Sequence, residues 1–148
     1  ASELQIAAGL QPELWLRRHD LGVLLADAED YTTAIIAFQD ALGLRRKAIT
    51  YTAIGEAYYA LGQYDQARAS LQQAVSTGAE DAHTYALLAA TYAQLNQCDE
   101  AETYYEQALE LDANQPLAEE AEELCQGERP SPTPSASGKG VVYRPWIT

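Results

Sequence analysis

Residues 48–81 read AITYTAIGEAYYALGQYDQARASLQQAVSTGAED, and this stretch decides the fold. Its first half carries Ile54-Gly55-x-x-Tyr58, its second half Tyr64, Ala67, Leu71 and Ala74. Steps of 3, 4 and 3 place that second set on one face of an α-helix. Gly62-Gln63, between the halves, is a turn signal. The same arrangement stands on both sides. Upstream come Leu21-Gly22-x-x-Leu25, the turn residues Glu29-Asp30, then Tyr31, Ala34, Phe38 and Ala41. Downstream come Leu88-Ala89-x-x-Tyr92, Asn96-Gln97, then Cys98, Ala101, Tyr105 and Ala108. Gly22 to Gly55 is 33 positions and Gly55 to Ala89 is 34. A period of that length, with helical spacing in each half, means stacked helix hairpins that bury their apolar faces only against one another. Small residues such as Gly22, Ala34 and Ala41 let the two helices of a hairpin approach. Large ones such as Phe38, Tyr58 and Tyr105 fill the gap to the next.

This pattern resembles the tetratricopeptide-repeat family over about residues 15–115. The resemblance implies an all-α fold, a right-handed α-solenoid of three hairpins at about 15–47, 48–81 and 82–115, and a non-enzymatic role in binding protein. There are departures. Arg18 stands where the family favours Trp, Ala89 replaces Gly, Cys98 replaces an aromatic residue, and the first repeat is one residue short at the Leu44–Lys47 turn. In the family the first helix of each hairpin lines a concave groove. Carried across, the inward positions are His19, Val23 and Ala26; Thr52, Glu56 and Tyr59; His83, Ala86, Ala90 and Ala93. Members that grip the acidic C-terminus of chaperones use Lys, Arg and Asn at such positions. Those bases are missing here, so that activity is not implied. An Ala-rich, partly aromatic groove bordered by acids suits an apolar peptide carrying positive charge.

The flanks extend this frame. Ser2 to Leu10, followed by Gln11-Pro12, reads as a separate helix at about 3–10, with Ser2 and Gln5 able to form a capping box. Pro116 opens a further helix at about 116–126, with Leu117, Ala121, Leu124 and Cys125 on one stripe and Gly127 closing it. Eight helices are therefore expected within a solenoid of residues 1–126. The last helix reads either as a solvating cap or as half of an end-to-end contact, in which Leu117, Ala121 and Leu124 of one copy meet Leu4 and Ala7 of the next. Such a contact is heterologous and makes open polymers unless rotation closes it. Residues 127–140 form a Pro-, Ser- and Gly-rich linker, able to reach roughly 40 Å at about 3.1 Å per residue. The final VVYRPWIT, residues 141–148, reads as an apolar anchor through Val141, Val142, Tyr143, Trp146 and Ile147, the alternative being a remnant of a longer chain.

Composition narrows the function. At 148 residues, with 47% apolar and 21% charged side chains, the chain has the length of one packed domain. Its net charge of −13 is unevenly spread: −2 over residues 1–47, −13 over 48–126 and +2 over 127–148. Phosphate backbones and anionic membranes both need a cationic footprint, so nucleic-acid and membrane-surface binding are excluded for the body. No apolar run approaches the roughly 18 residues of a membrane span. Met is 0, which reads as a removed leader, a trimmed start or a piece of something longer. The two histidines, His19 and His83, lack metal-ligand spacing, and no phosphate loop, nucleophile elbow or Cys–His pair is present. No catalytic, metal or cofactor site is expected.

Cys98 starts one helix and Cys125 ends the next. On antiparallel helices their offset of about five residues is roughly 7 Å at 1.5 Å per residue, at the edge of disulfide reach. They read either as a bridge or as two buried small apolar residues. A bridge would favour an extracellular or periplasmic setting over the cytoplasm. Three functional readings follow: a self-assembling subunit that stacks and docks its tail on a neighbour, in a filament or tube; an adaptor holding another protein's peptide; and an accessory domain of a larger enzyme or secretion machine. The unmatched end helices and the apolar tail favour the first, with copies of itself as partner.

Overall fold

The computed structural model describes residues 2–128 of the chain, with side chains for residues 12–127. Among the described residues there are seven α-helices and no strands: α1 (Ser2–Asp27), α2 (Tyr31–Leu44), α3 (Ala48–Ala60), α4 (Tyr64–Ser76), α5 (Ala82–Gln94), α6 (Cys98–Leu111) and α7 (Pro116–Glu128). Consecutive helices pair as hairpins α1–α2, α3–α4 and α5–α6. Each hairpin packs on the next through α2–α3 and α4–α5, and α7 lies against both α5 and α6.

The three hairpin turns are built alike. Glu29, Gly62 and Asn96 take φ of 62°, 74° and 61°, the left-handed conformation that ends a helix. One residue later, the backbone N–H of Asp30, Gln63 and Gln97 donates to the carbonyl of Leu25, Tyr58 and Tyr92 at 2.9, 2.9 and 2.8 Å. This is the closing bond of a Schellman turn, and the turn signals of the sequence repeat mark it. Close approach within a hairpin is just as regular. A methyl group on Gly22 would meet the Phe38 ring at 2.5 Å, and one on Gly55 would meet Leu71 at 2.5 Å. Ala89 takes this place in the third hairpin and is fully buried in a cluster against which Tyr105 packs.

The N-terminal flank differs from the expected helix at 3–10. α1 runs without a break from Ser2 to Asp27, with Pro12 inside it, so seven helices replace the expected eight. The three hairpin turns reverse the chain with a residue at positive φ, at Glu29, Gly62 and Asn96, and no such residue stands within α1. Pro12 holds φ near −65°, a helical value, at the cost of one helical hydrogen bond and of crowding against the carbonyl four positions back. Leu4 and Ala7 lie on this helix outside the residues whose side chains are described.

The C-terminal flank also corrects an expectation. Ala118 and Ala121 are fully buried, Cys125 nearly so, and Leu117 and Leu124 pack against the same clusters. The apolar stripe assigned to an end-to-end contact is therefore covered by the chain's own α5 and α6. Helix α7 stands where the first helix of another hairpin would stand, and it caps the stack.

Candidate protein-binding cleft

The first helices of the hairpins, α1, α3 and α5, hold the positions carried over from the family frame, and packing divides those positions in two. His19 is only 7% exposed. Its Nδ1 is hydrogen-bonded to Thr50 Oγ1 at 3.1 Å, and its ring lies 5.5 Å from Trp15 and 5.3 Å from Phe38. Burial pushes its pKa below the ordinary histidine value, with the nearby Asp20 carboxylate acting the other way. A neutral His19 thus ties α1 to α3.

Thr52 is buried likewise, with Oγ1 3.0 Å from Thr84 Oγ1. Thr84 donates its hydroxyl proton to Asp81 at 2.8 Å, which leaves its oxygen to accept from Thr52. Asp81 also caps α5 by accepting from the Thr84 N–H at 2.8 Å. Ala86 and Ala90 are fully buried: Ala86 clusters with Ala108 of α6 and Ala118 of α7, and Ala90 joins the cluster that holds Ala121. These four residues therefore join the helices to one another instead of lining a groove. For the two alanines the reason is α7, which takes the surface they would have offered.

Ala93 is buried too, and the other five expected residues stay within reach of a partner. Val23, Glu56 and His83 are exposed, and Ala26 and Tyr59 are half-buried. His83 Nε2 and Glu56 Oε2 are 3.3 Å apart. The hydrogen bond to Glu56 raises the His83 pKa, against burial, and the charges of Glu56 and Asp81 raise it further. The Tyr59 ring meets Tyr64 edge-on at 5.3 Å. Burial raises its pKa, partly offset by a hydrogen bond to Gln94, with Glu120 and Tyr64 adding to the rise. The phenol stays neutral at physiological pH.

Between α1, α2 and α3 lies a cleft of about 360 Å³. Val23 and Ala26 of α1, Tyr31 of α2 and Ala53 of α3 form its apolar surface, and Asp27, Glu29 and Glu56 supply carboxylates. No Lys or Arg lines it. The sequence frame named Val23, Ala26 and Glu56, but not Asp27, Glu29, Tyr31 or Ala53. Glu29 carried a signal that went unused, since a turn residue between two stacked helices stands at the mouth of any cleft between them. Among the described residues, no group of three or more His, Cys, Asp or Glu side chains is placed to hold a metal ion. No described helix is long and apolar enough to cross a membrane. The anchor residues Val141, Val142, Tyr143, Trp146 and Ile147 lie outside the described residues.

Cys98 and Cys125 are joined in a disulfide, with Cα atoms 5.4 Å apart. This resolves the two readings in favour of the bridge. It fastens the end of α7 to the start of α6.

The family model described as Tetratricopeptide repeat matches residues 48–114, the second and third hairpins. Over those residues, just under half of its length, the chain is similar to the tetratricopeptide-repeat family. Solved structures, tetratricopeptide-repeat domains among them, superpose closely on the chain. The first such domain of Spaghetti (RPAP3), bound to an HSP90 peptide SRMEEVD, is 22% identical with a TM-score of 0.72, covering 78% of this chain and 93% of that one. The Arabidopsis OM64 domain is 18% identical with a TM-score of 0.74, covering 80% and 99%. PcrH, in complex with the chaperone binding region of PopD, is 24% identical with a TM-score of 0.67, covering 78% and 91%. At these identities the likeness concerns the tetratricopeptide-repeat fold alone. No curated protein matches the chain.

Proposed function

We propose that this chain is a non-enzymatic interaction module that holds, in the cleft between α1, α2 and α3, a protein segment with a basic side chain beside an apolar or aromatic one. The carrying observation is the chemistry of the cleft: three carboxylates around an apolar surface, with no cationic lining residue. That PcrH and Spaghetti hold peptides on the same fold supports the use of the surface. The charge here selects the opposite of SRMEEVD, whose two glutamates and aspartate would be repelled.

The tail favours a second, self-assembling reading. Residues 139–148, KGVVYRPWIT, place Arg144 two positions from Trp146, which is the chemistry the cleft accepts. The tail of one copy docked on its neighbour would join subunits into a filament without any contact through Leu117, Ala121 and Leu124. The Cys98–Cys125 disulfide supports an extracellular or periplasmic setting, since reducing compartments rarely keep such bridges.

A labelled peptide of residues 139–148, titrated into full-length chain carrying Trp146→Ala, tests the cleft. Binding on the order of 10 μM is expected, weakened about tenfold, or about 1.4 kcal/mol, by Glu56→Lys. A flat titration, or one that Glu56→Lys leaves unchanged, sinks the assignment.

A further inference from the structure

A second cleft, of about 470 Å³, lies between α4 and α6, the second helices of their hairpins. Both helices pack on α5 and not on one another. Ala69, Gln72, Gln73, Val75 and Ser76 form one wall and Tyr104 the other. In a chain of net charge −13, this lining holds no charged side chain. The Tyr104 ring is stacked between Tyr92, 5.6 Å away between centroids, and Tyr85, 6.0 Å away. Gln72 Nε2 donates to the Tyr92 hydroxyl at 2.6 Å, which leaves that hydroxyl its own proton to give. Gln72, Gln73 and Ser76 are exposed, so their amides and hydroxyl are open to a ligand. Neutral hydrogen-bond donors beside an aromatic stack suit an uncharged ligand rich in carbonyl acceptors.

We propose that the α4–α6 cleft binds residues 130–137 of the same molecule, PSPTPSAS, which lie outside the described residues. Residues 130–138 carry no charge, as the cleft does not. Pro130, Pro132 and Pro134 favour the polyproline II conformation, whose carbonyls have no internal partners and take outside donors. Aromatic-lined grooves are the usual receptors of that conformation, because it is ordered before it binds. The tether favours this occupant as well. The Cα atoms of Cys125 and Cys98 are 5.4 Å apart, and six helical positions, about 10 Å, separate Cys98 from Tyr104, so Cys125 lies within about 15 Å of Tyr104. Helix α7 ends at Glu128. From there residues 129–137 span about 28 Å at about 3.1 Å per residue, enough to return past the start of α6 into the cleft. So short a tether gives an effective concentration in the millimolar range, and modest contacts then suffice to hold the segment. Docking of this kind fixes where residues 139–148 leave the body. None of the cleft residues lines the α1–α3 cleft, so the inference stands or falls apart from the peptide-binding reading.

NMR of the full oxidised chain tests it. The wild type should show nuclear Overhauser contacts from Pro132 or Pro134 to the Tyr104 ring, with order parameters above about 0.6 at the amides of Ser131, Thr133 and Ser135. Gln73→Lys with Ser76→Lys places charge in the cleft at exposed positions. Order parameters at those three amides should then fall below about 0.6, while the helical amides stay as they were. A second variant acts from the other side and leaves every helix untouched: Pro130→Gly, Pro132→Gly and Pro134→Gly together should move the side-chain amide resonances of Gln72 and Gln73. Order parameters below about 0.6 in the wild type would overturn the proposal. So would cleft lysines that leave the three amides unchanged, or glycines that leave Gln72 and Gln73 unmoved. Contacts that fade on dilution would overturn it too, because they would assign the segment to the cleft of a second copy.

Discussion

The first and last hairpins share one architecture and are secured by different chemistry. At the N-terminal end α1 is joined to α3 by a buried neutral histidine, His19, bonded to Thr50 and set between Trp15 and Phe38. At the C-terminal end α7 is joined to α6 by a disulfide, beside a cluster built on Ala86, Ala108 and Ala118. The first fastening depends on proton activity and the second on redox state. A repeat period dictates where helices stack; the few side chains that lock each end determine what can unlock it.

Reduction should have the largest effect and should act on the C-terminal end. The bridge closes a loop with a sequence separation of 27, so Cys98→Ser with Cys125→Ser should lower stability by about 3.5 kcal/mol in urea. Hydrogen exchange should then rise first in α7 and least in α1–α3. Uniform loosening of all the helices would erase the contrast between the ends.

The next effect belongs to the N-terminal end. Thr50→Val would leave the buried His19 nitrogen without its partner and should cost about 2 kcal/mol. Acid should act on the same place. The folded-state pKa of His19 lies below its ordinary 6.5, so the unfolded chain takes up the proton first. Stability is therefore intact above pH 6.5 and falls below it. Urea midpoints at pH 7.5 and 5.5 should differ less in His19→Gln than in the wild type, and an equal drop in both would clear His19 of the role. His83, with its raised pKa, has the opposite sign: its contribution is present below 6.5 and lost as pH rises through the raised value. Because the His83–Glu56 pair is exposed, solvent screening keeps that contribution small.

The smallest effect compares the hairpin turns. Glu29 holds a left-handed conformation that Gly62 adopts without strain, so Glu29→Gly should stabilise the first hairpin by about 1 kcal/mol. Calorimetry on the two chains reads it. A lower melting temperature in Glu29→Gly would mean that the glutamate side chain itself supports the turn.

Much of this was legible in the order of residues. The spacing of Gly22, Gly55 and Ala89, with the turn residues at Glu29, Gly62 and Asn96, announced three hairpins because helical pitch and turn geometry act over a few neighbouring positions. The final helix, and the option of pairing Cys98 with Cys125, came from the same local rules. The binding surface was only half legible. Val23, Glu56, Tyr59 and His83 stayed accessible, while His19, Thr52, Ala86 and Ala90 did not, because burial depends on which other helix arrives to cover a position.

Sequence by itself therefore determined the helices, their pairing and the acidic character of the body, all properties of composition and short spacing. Tertiary structure alone decided two things: that α7 buries its apolar stripe within its own chain, and that Asp27 and Glu29 converge with Glu56 on one cleft. Each concerns groups far apart along the chain, and only packing brings such groups together.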